Sequence, residues 1–255
     1  EAFEEIKDKV LPELRRSQMM INVDKIGYSD EQIAMLAQDN PDTLNKEEIL
    51  YAATLTDDNA EKLRIYQEAA ANFPDCMRGH NNIGYVQMQM GNVDEAKAAC
   101  EKAQSIKETD VVKNNLGAVA LAKNNLDEAE QLLTSAMGAG DAVNYNLGII
   151  KIMQGDYSAA VNYFGNKPSF NAALAQLLNG DVDKALTTLG ELGETDDAMV
   201  YYLKAVAGAR GNKDEVVINN LRKAIELNPD LKAHAKKDAE FIDYEANEAF
   251  VNIVG

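Results

Sequence analysis

Two pairs of neighbouring acidic residues are the side chains best placed to carry out acid–base chemistry. Asp94-Glu95 and Asp127-Glu128 lie 33 residues apart, and each pair follows a turn and opens a predicted helix. Two neighbouring carboxyl groups can divide the roles of general acid and general base between them. However, both pairs occupy the same place in an apparent repeat, in the first turn of a helix, where the helix macrodipole stabilises negative charge. We therefore interpret them as helix-start residues and not as a catalytic pair.

The two histidines and the two cysteines add little further chemistry. We predict that His80 is a packed or surface side chain and that His234, which lies among lysines, is solvated. Cys76 and Cys100 could face each other across a helical hairpin, either as small buried residues or as a disulfide. The sequence contains no zinc-protease, nucleophile-elbow or phosphate-loop motif. It therefore predicts a protein that is not an enzyme, with no metal and no cofactor.

Composition and charge limit the class of partner. The chain has 255 residues, 46% of them hydrophobic, which is ample for a folded core. Lysine and arginine number 25 and the acidic residues 42, so the net charge is −17. A surface of this sign repels phosphate groups and argues against nucleic acids and anionic membranes as partners. No apolar run reaches the roughly 18 residues of a membrane span, and the start at Glu1 suggests a processed or trimmed chain.

The most informative pattern is a short motif that recurs along the chain. Asn-Asn-Ile-Gly at residues 81–84 returns as Asn-Asn-Leu-Gly at 114–117 and within Asn-Tyr-Asn-Leu-Gly at 144–148, with glycines 33 and 31 residues apart. A period of this length indicates stacked supersecondary units. We expect paired helices to cross most closely where Gly84 meets Ala96, because a larger side chain would push the helix axes apart.

Helical spacing of apolar residues extends this pattern into six predicted hairpins between residues 45 and 229. The fifth unit is degenerate, and the linker after Phe164 is shortened. Ahead of the array, residues 1–44 are predicted to form a small lead-in. It would hold a helix over 1–14, a weak strand over 17–23 and a short helix over 29–38.

These motifs resemble the tetratricopeptide repeat (TPR). Gly-Asp-Tyr at residues 155–157 and Ala-Ile-Glu-Leu-Asn-Pro at 224–229 are similar to the turn and the end of the second helix in that consensus. The resemblance covers roughly residues 45–229 and implies an all-α, right-handed superhelix of about six hairpins. Residues 230–255, with an apolar face over 231–250, would then supply the C-terminal capping helix that such arrays need.

A second resemblance concerns the beginning of the chain. Residues 11–16, the predicted strand and residues 28–32 resemble the junction in bacterial cell-envelope proteins where a TPR array adjoins an OmpA-like, peptidoglycan-associating module. Residues 1–44 would then be a lead-in or the edge of that module. The resemblance implies a periplasmic or outer-membrane-associated location, with the cytoplasm as the alternative.

The TPR resemblance also implies a concave groove lined by first-helix residues at fixed offsets from the Asn-Leu-Gly motif. Its polar end is expected in the second unit and its apolar end in the fourth and fifth units. The candidate partner-binding residues are Arg78, Asn81, Tyr85, Met88, Asn114, Leu121, Tyr145, Ile149, Ile152, Phe170, Leu174 and Leu177.

Two interpretations of this groove stay open at the level of sequence. An exposed apolar groove would bind an amphipathic helix or an extended peptide, whereas a tightly wound array would fill it with its own side chains or the N-terminal segment. The asparagines at the polar end could hold a peptide backbone, or they could form ladders between adjacent helices.

The sequence thus predicts a non-enzymatic protein–protein interaction scaffold or adaptor of the bacterial cell envelope, which binds a protein segment in the groove. The alternative is a structural spacer or stabilising module of a peptidoglycan-associated, OmpA-like envelope protein, with a self-filled groove. An enzyme or a small-ligand binder is the third hypothesis, and the sequence offers no base, nucleophile or metal set for it.

Overall fold

The computed structural model describes residues 27–255, which fold as a succession of α-helices. A first helix, α1 (Asp30–Asp39), and a 3-10 turn (Pro41–Thr43) precede six helical hairpins. The hairpins are α2 (Lys46–Ala52) with α3 (Asn59–Asn72), α4 (Met77–Gln89) with α5 (Val93–Ile106), α6 (Asp110–Ala122) with α7 (Leu126–Thr134), α8 (Asp141–Met153) with α9 (Tyr157–Phe164), α10 (Phe170–Leu178) with α11 (Val182–Glu191), and α12 (Ala198–Arg210) with α13 (Asp214–Leu227). A 3-10 turn (Met137–Ala139) separates α7 from α8.

This arrangement confirms the predicted all-α solenoid of six hairpins. Each hairpin packs against the next in chain order, and no β-strand occurs between residues 27 and 255. The helix predicted over residues 1–14 and the strand predicted over 17–23 lie outside the described residues.

The C-terminal cap is present, but it is not one helix. It consists of α14 (Leu231–Ala235), a 3-10 segment (Ala239–Tyr244) and α15 (Glu248–Val254). The carboxylate of Asp238 accepts a hydrogen bond from the Glu240 backbone at 3.0 Å, and the amide oxygen of Asn247 accepts one from the Ala249 backbone at 3.0 Å. Because these side chains cap new helical starts, three short segments replace the single helix predicted over residues 231–250.

Side-chain caps begin several helices, as the sequence indicates. Ser29 and Gln32 form the predicted capping box, in which each side chain accepts a hydrogen bond from the other residue's backbone. Asn45 and Glu48 form a second box at the start of α2. Asp58 begins α3 by accepting from the Ala60 backbone at 2.8 Å. These bonds satisfy backbone donors that have no partner inside the helix.

The helices of a hairpin cross most closely at the motif glycines. A Cβ atom added to Gly84 would overlap the Sγ of Cys100 and would lie 3.1 Å from the carbonyl oxygen of Ala96. A Cβ atom added to Gly148 would lie 2.8 Å from the ring of Phe164. The contact between Gly84 and Ala96 is therefore the predicted one, and Cys100 completes it.

The N-terminal helix shares a core with the first hairpin. Ile33 and Ala37 of α1, together with Leu44, pack in one buried cluster with Ile49 and Leu50 of α2. This core crosses the predicted boundary between a lead-in of residues 1–44 and an array of residues 45–229. The division itself stays a prediction.

Candidate partner-binding groove

The first helix of each hairpin lies on the inner side of the array. Contacts join α4 to α6, α6 to α8, α8 to α10 and α10 to α12, whereas the second helices of neighbouring hairpins approach one another less. The side on which neighbouring units are closer together is the concave side of a solenoid. The first helices therefore form the surface of the predicted groove.

One row of side chains runs along this surface, and the exposure of its members shows how open the groove is. Each member lies eight residues before the first residue of its hairpin's second helix. This inner-face row is Tyr51, Tyr85, Ala118, Ile149, Leu174 and Val206. Tyr51 and Tyr85 are 44% and 54% exposed, Ile149 and Leu174 are half-buried, and Val206 is buried. The groove is therefore open along the first units and closes towards the last.

The asparagines of the repeat motif bond to one another across neighbouring first helices. The Asn115 amide donates to the Asn81 side-chain oxygen at 2.9 Å, and the Asn146 amide donates to Asn114 at 3.2 Å. Asn81 and Asn114 are buried. The structure therefore shows the ladder that the sequence left as one of two alternatives, and these amides already have partners within the chain.

Tyr145 is held in a fixed orientation at the middle of the groove. Its hydroxyl oxygen accepts a hydrogen bond from the Asn171 side chain at 2.8 Å. Its ring packs edge-on against Phe164, with the ring centres 5.5 Å apart. The side chain is nevertheless 40% exposed. An aromatic face that is both ordered and accessible is typical of residues that contribute strongly to binding.

The remaining predicted groove residues divide by burial. Arg78 forms an ion pair with Glu47 of the preceding unit. Leu177 is buried in the core and does not line an open surface. The half-buried members are Met88, Leu121, Ile152, Phe170, Leu174 and Ile149. A partner-binding role for the predicted set stays a prediction.

Three exposed large hydrophobic side chains of the first helices are missing from the prediction. Tyr51 occupies the inner-face row in the first unit, which lacks the Asn-Leu-Gly motif that would have marked it. Its hydroxyl group donates to Asp30 at 3.1 Å, and this bond raises the pKa of Tyr51. Val111 and Met199 are also exposed. The spacing of eight residues to the start of the second helix would have identified Tyr51.

Charged residues tie successive units together and occupy the helix starts. Asp94 lies in the first turn of α5 and pairs with Lys123 of the next unit, and that hydrogen bond lowers the pKa of Asp94. Lys213 pairs with Asp183 at 2.8 Å in the same manner. Asp94 therefore serves as a helix-start residue and an inter-unit contact, in agreement with the interpretation of the acidic pairs.

The other candidates for chemistry are dispersed. The Nε2 atom of His80 lies 3.1 Å from the carbonyl oxygen of Pro74, and His234 lies beside the ring of Tyr202. Cys76 and Cys100 are free and buried thiols, and burial raises the pKa of Cys100 to about 11. Among residues 27–255, the metal-ligating side chains nowhere gather in a group of three or more.

The helices of the described part of the chain are all too short or too polar to cross a bilayer.

Comparisons with known proteins agree with this architecture. Residues 78–110 match the tetratricopeptide repeat family. No curated protein matches the chain in sequence.

Several solved structures share the fold. A chain of the APC/C hetero-tetramer Cut9–Hcn1 superimposes with a TM-score of 0.68 at 16% identity over 88% of this chain, which spans only 45% of that one. A tetratricopeptide repeat protein from Parabacteroides merdae gives 0.58 at 15% identity, over 89% of this chain and 91% of the other. PilF of Pseudomonas aeruginosa gives 0.58 at 16% identity, over 84% and 98%.

At these identities the likeness concerns the fold, and the repeat motif itself is matched over residues 78–110. The chain therefore contains a tetratricopeptide repeat and folds as a tetratricopeptide α-solenoid.

Proposed function

We propose that this chain is a non-enzymatic protein-interaction scaffold that binds a protein segment along the open part of its groove. The observation that carries the proposal is the exposure of Tyr51, Tyr85 and Tyr145 on one concave surface. Solenoids of this kind use their concave surfaces for binding. Tyrosine rings provide a large contact area at a small cost in side-chain entropy, because only two torsions are fixed.

The shape of the groove favours an extended or helical segment over a small ligand. The three rings lie on first helices of three different units, so a partner that contacts all of them must run along the array. The asparagine ladder between Asn81 and Asn115 stiffens the floor of the groove. A rigid floor lowers the entropic cost of binding, since little reorganisation is needed.

The structural-spacer alternative finds its support at the other end of the array. Val206 of the inner-face row is buried, so the chain itself fills the groove in the last unit. That support does not extend to the first units, where Tyr85 stays exposed. We therefore place the binding surface between Tyr51 and Leu174.

The test uses random 12-residue peptides displayed on phage and selected for binding to the wild-type protein. Tyr85→Ala is expected to weaken the selected peptides by about tenfold or more, because it removes a central aromatic contact without disturbing the core. Affinity is measured by fluorescence anisotropy, and far-UV circular dichroism checks that helicity is retained.

Met137→Ala is the matched control for this substitution. Met137 has the same exposed fraction as Tyr85, 54%, but it lies in the 3-10 turn after a second helix. We expect it to change the peptide affinities less than about twofold, as surface substitutions away from a contact do. Peptides that bind Tyr85→Ala as tightly as wild type would exclude the groove as the binding surface. That result would favour the structural-spacer alternative.

We further propose a periplasmic or outer-membrane-associated location, possible partners being other envelope or peptidoglycan-associated proteins. The support is the resemblance of residues 11–16 and 28–32 to envelope-protein junctions. In fractionated cells, the full-length protein is expected in the periplasmic or outer-membrane fraction. Recovery with a cytoplasmic marker would contradict this location, and retention on purified peptidoglycan would favour the spacer role.

A further inference from the structure

The second helix of the fourth hairpin, α9, is the shortest of the six second helices. It has 8 residues, whereas α7 has 9, α11 has 10, and α3, α5 and α13 each have 14. Gly165, with a φ of 62°, ends α9, and the chain then crosses to Ser169, whose hydroxyl oxygen caps α10. Helix α9 is thus more than one helical turn shorter than the 14-residue second helices.

A pocket of about 500 Å³ opens beside the end of the shortened helix. We call it the unit-four notch. It is bounded by the start of α8, the last turn of α9 and the crossing segment of residues 165–169. Its volume falls within the range of pockets that bind small groups.

The lining of the notch is rich in aromatic and asparagine residues. Tyr145, Tyr163 and Phe164 line it, together with Asn144 and Asn162. Of the three aromatic residues, Tyr145 is exposed, Tyr163 is half-buried and Phe164 is buried. Aromatic rings favour edge-on or offset contact with another ring. Each asparagine side chain offers both a donor and an acceptor, which suits a peptide backbone.

The charges at the notch are already paired with each other. Lys167 and Asp141 form an ion pair, and both side chains are largely exposed. A charged group that entered the notch would lose hydration and would find no free counter-charge unless it broke this pair. The notch therefore discriminates against charged side chains.

We propose that the unit-four notch is an anchor site for an uncharged aromatic side chain of the bound protein segment. This inference rests on the proposed function and specifies the chemistry of the partner. Tyr145 lies both on the groove surface and in the wall of the notch. A segment that follows the groove can therefore insert one side chain into the notch while its backbone stays beside Asn144 and Asn162.

The test uses four pentapeptide probes, acetyl-Gly-Ser-X-Ser-Gly-amide, in which X is Trp, Leu, Lys or Glu. The chain contains no tryptophan, so the emission of the Trp probe reports on the probe alone. Binding of all four is measured by backbone-amide NMR shifts in α8 and α9. We expect the Trp probe to bind about fivefold or more tightly than the Leu probe, and the charged probes to bind least.

Asn162→Phe should fill the notch with its own ring and weaken the Trp probe by about tenfold. Asn219→Phe is the matched control. Like Asn162, Asn219 is exposed and lies two residues before a buried core side chain of a second helix, but α13 is full-length there. This variant should bind the Trp probe as wild type does.

Equal binding of the four probes, or an Asn162→Phe protein that binds the Trp probe as wild type does, would overturn the notch as an aromatic anchor site. The proposed function would survive that result if Tyr85→Ala still weakened the selected 12-residue peptides, because Tyr85 is not part of the notch. Thermal unfolding of both phenylalanine variants checks that each is folded.

Discussion

Replacing Phe241 by alanine is expected to lower the free energy of unfolding of the C-terminal end of the array by about 3–5 kcal/mol. Phe241 is 1% exposed. Its ring packs edge-on against Tyr202, with the ring centres 5.8 Å apart, and at a tilt of 42° against Phe250, with the centres 5.6 Å apart. Loss of the ring would leave a cavity between the cap and the last hairpin, and the short segments of the cap could not close it without breaking their hydrogen bonds.

Those hydrogen bonds fasten the cap to the last hairpin. The Tyr202 hydroxyl donates to Asp238 at 2.6 Å, and the guanidinium group of Arg210 donates twice to Glu240. Without the Phe241 ring to hold the cap in place, these polar contacts are exposed to water and lose most of their contribution to stability.

The damage should stay local, because each unit of a solenoid contacts only its neighbours. Hydrogen exchange is therefore expected to accelerate in α12 and α13 well before it does in α4 to α7. Ile242→Ala is the matched control, since Ile242 is the next residue and is 64% exposed. Equal urea midpoints for the two variants would show that the cap does not depend on Phe241.

The cap also shows where prediction from the sequence stops. Apolar residues at helical spacing over 231–250 predict one helix, but only part of that predicted face is buried in the structure. Leu231, Ala235 and Phe241 are buried, whereas Ala239, Ile242 and Ala246 are exposed. The breaks come from Asp238 and Asn247, whose side chains cap new starts. Asp238 is held there by the hydroxyl of Tyr202, a residue 36 positions away. No local pattern contains that contact.

The groove also has features that the sequence determines and features that depend on the packing of neighbouring units. The repeat register places Asn81 and Tyr85 on one face, four residues apart, because side chains at this spacing share a helix face. Whether each is accessible depends on the neighbouring unit. Asn81 is buried by the helix that carries Asn115, whereas Tyr85 stays exposed. The notch likewise depends on the length of α9, and the sequence indicates only a shortened linker there.

Replacing Gly84 by alanine is expected to destabilise the protein by about 1–3 kcal/mol, although alanine is the better helix former. The added methyl group would meet the thiol of Cys100 and the carbonyl oxygen of Ala96. The carbonyl belongs to the backbone of α5 and cannot rotate away, so the two helices must move apart. Gly190→Ala provides the matched control, because an added Cβ atom there has nothing within 4 Å.

The changes in stability expected for Gly84→Ala and Gly190→Ala differ in sign, and this difference distinguishes the effect of packing from that of helix propensity. Gly190→Ala should leave stability unchanged or raise it by up to about 1 kcal/mol, through the reduced freedom of the unfolded chain.

A double-mutant cycle then identifies which atom obstructs a side chain at Gly84. Cys100→Ala alone should destabilise, since it removes a fully buried Sγ atom. In the double variant the methyl group at position 84 occupies the space that Sγ leaves. Urea unfolding should therefore show a double variant more stable than the sum of the single effects, by about 1 kcal/mol or more. Additive effects would mean that the Ala96 carbonyl, and not the Cys100 thiol, sets how closely α4 and α5 approach.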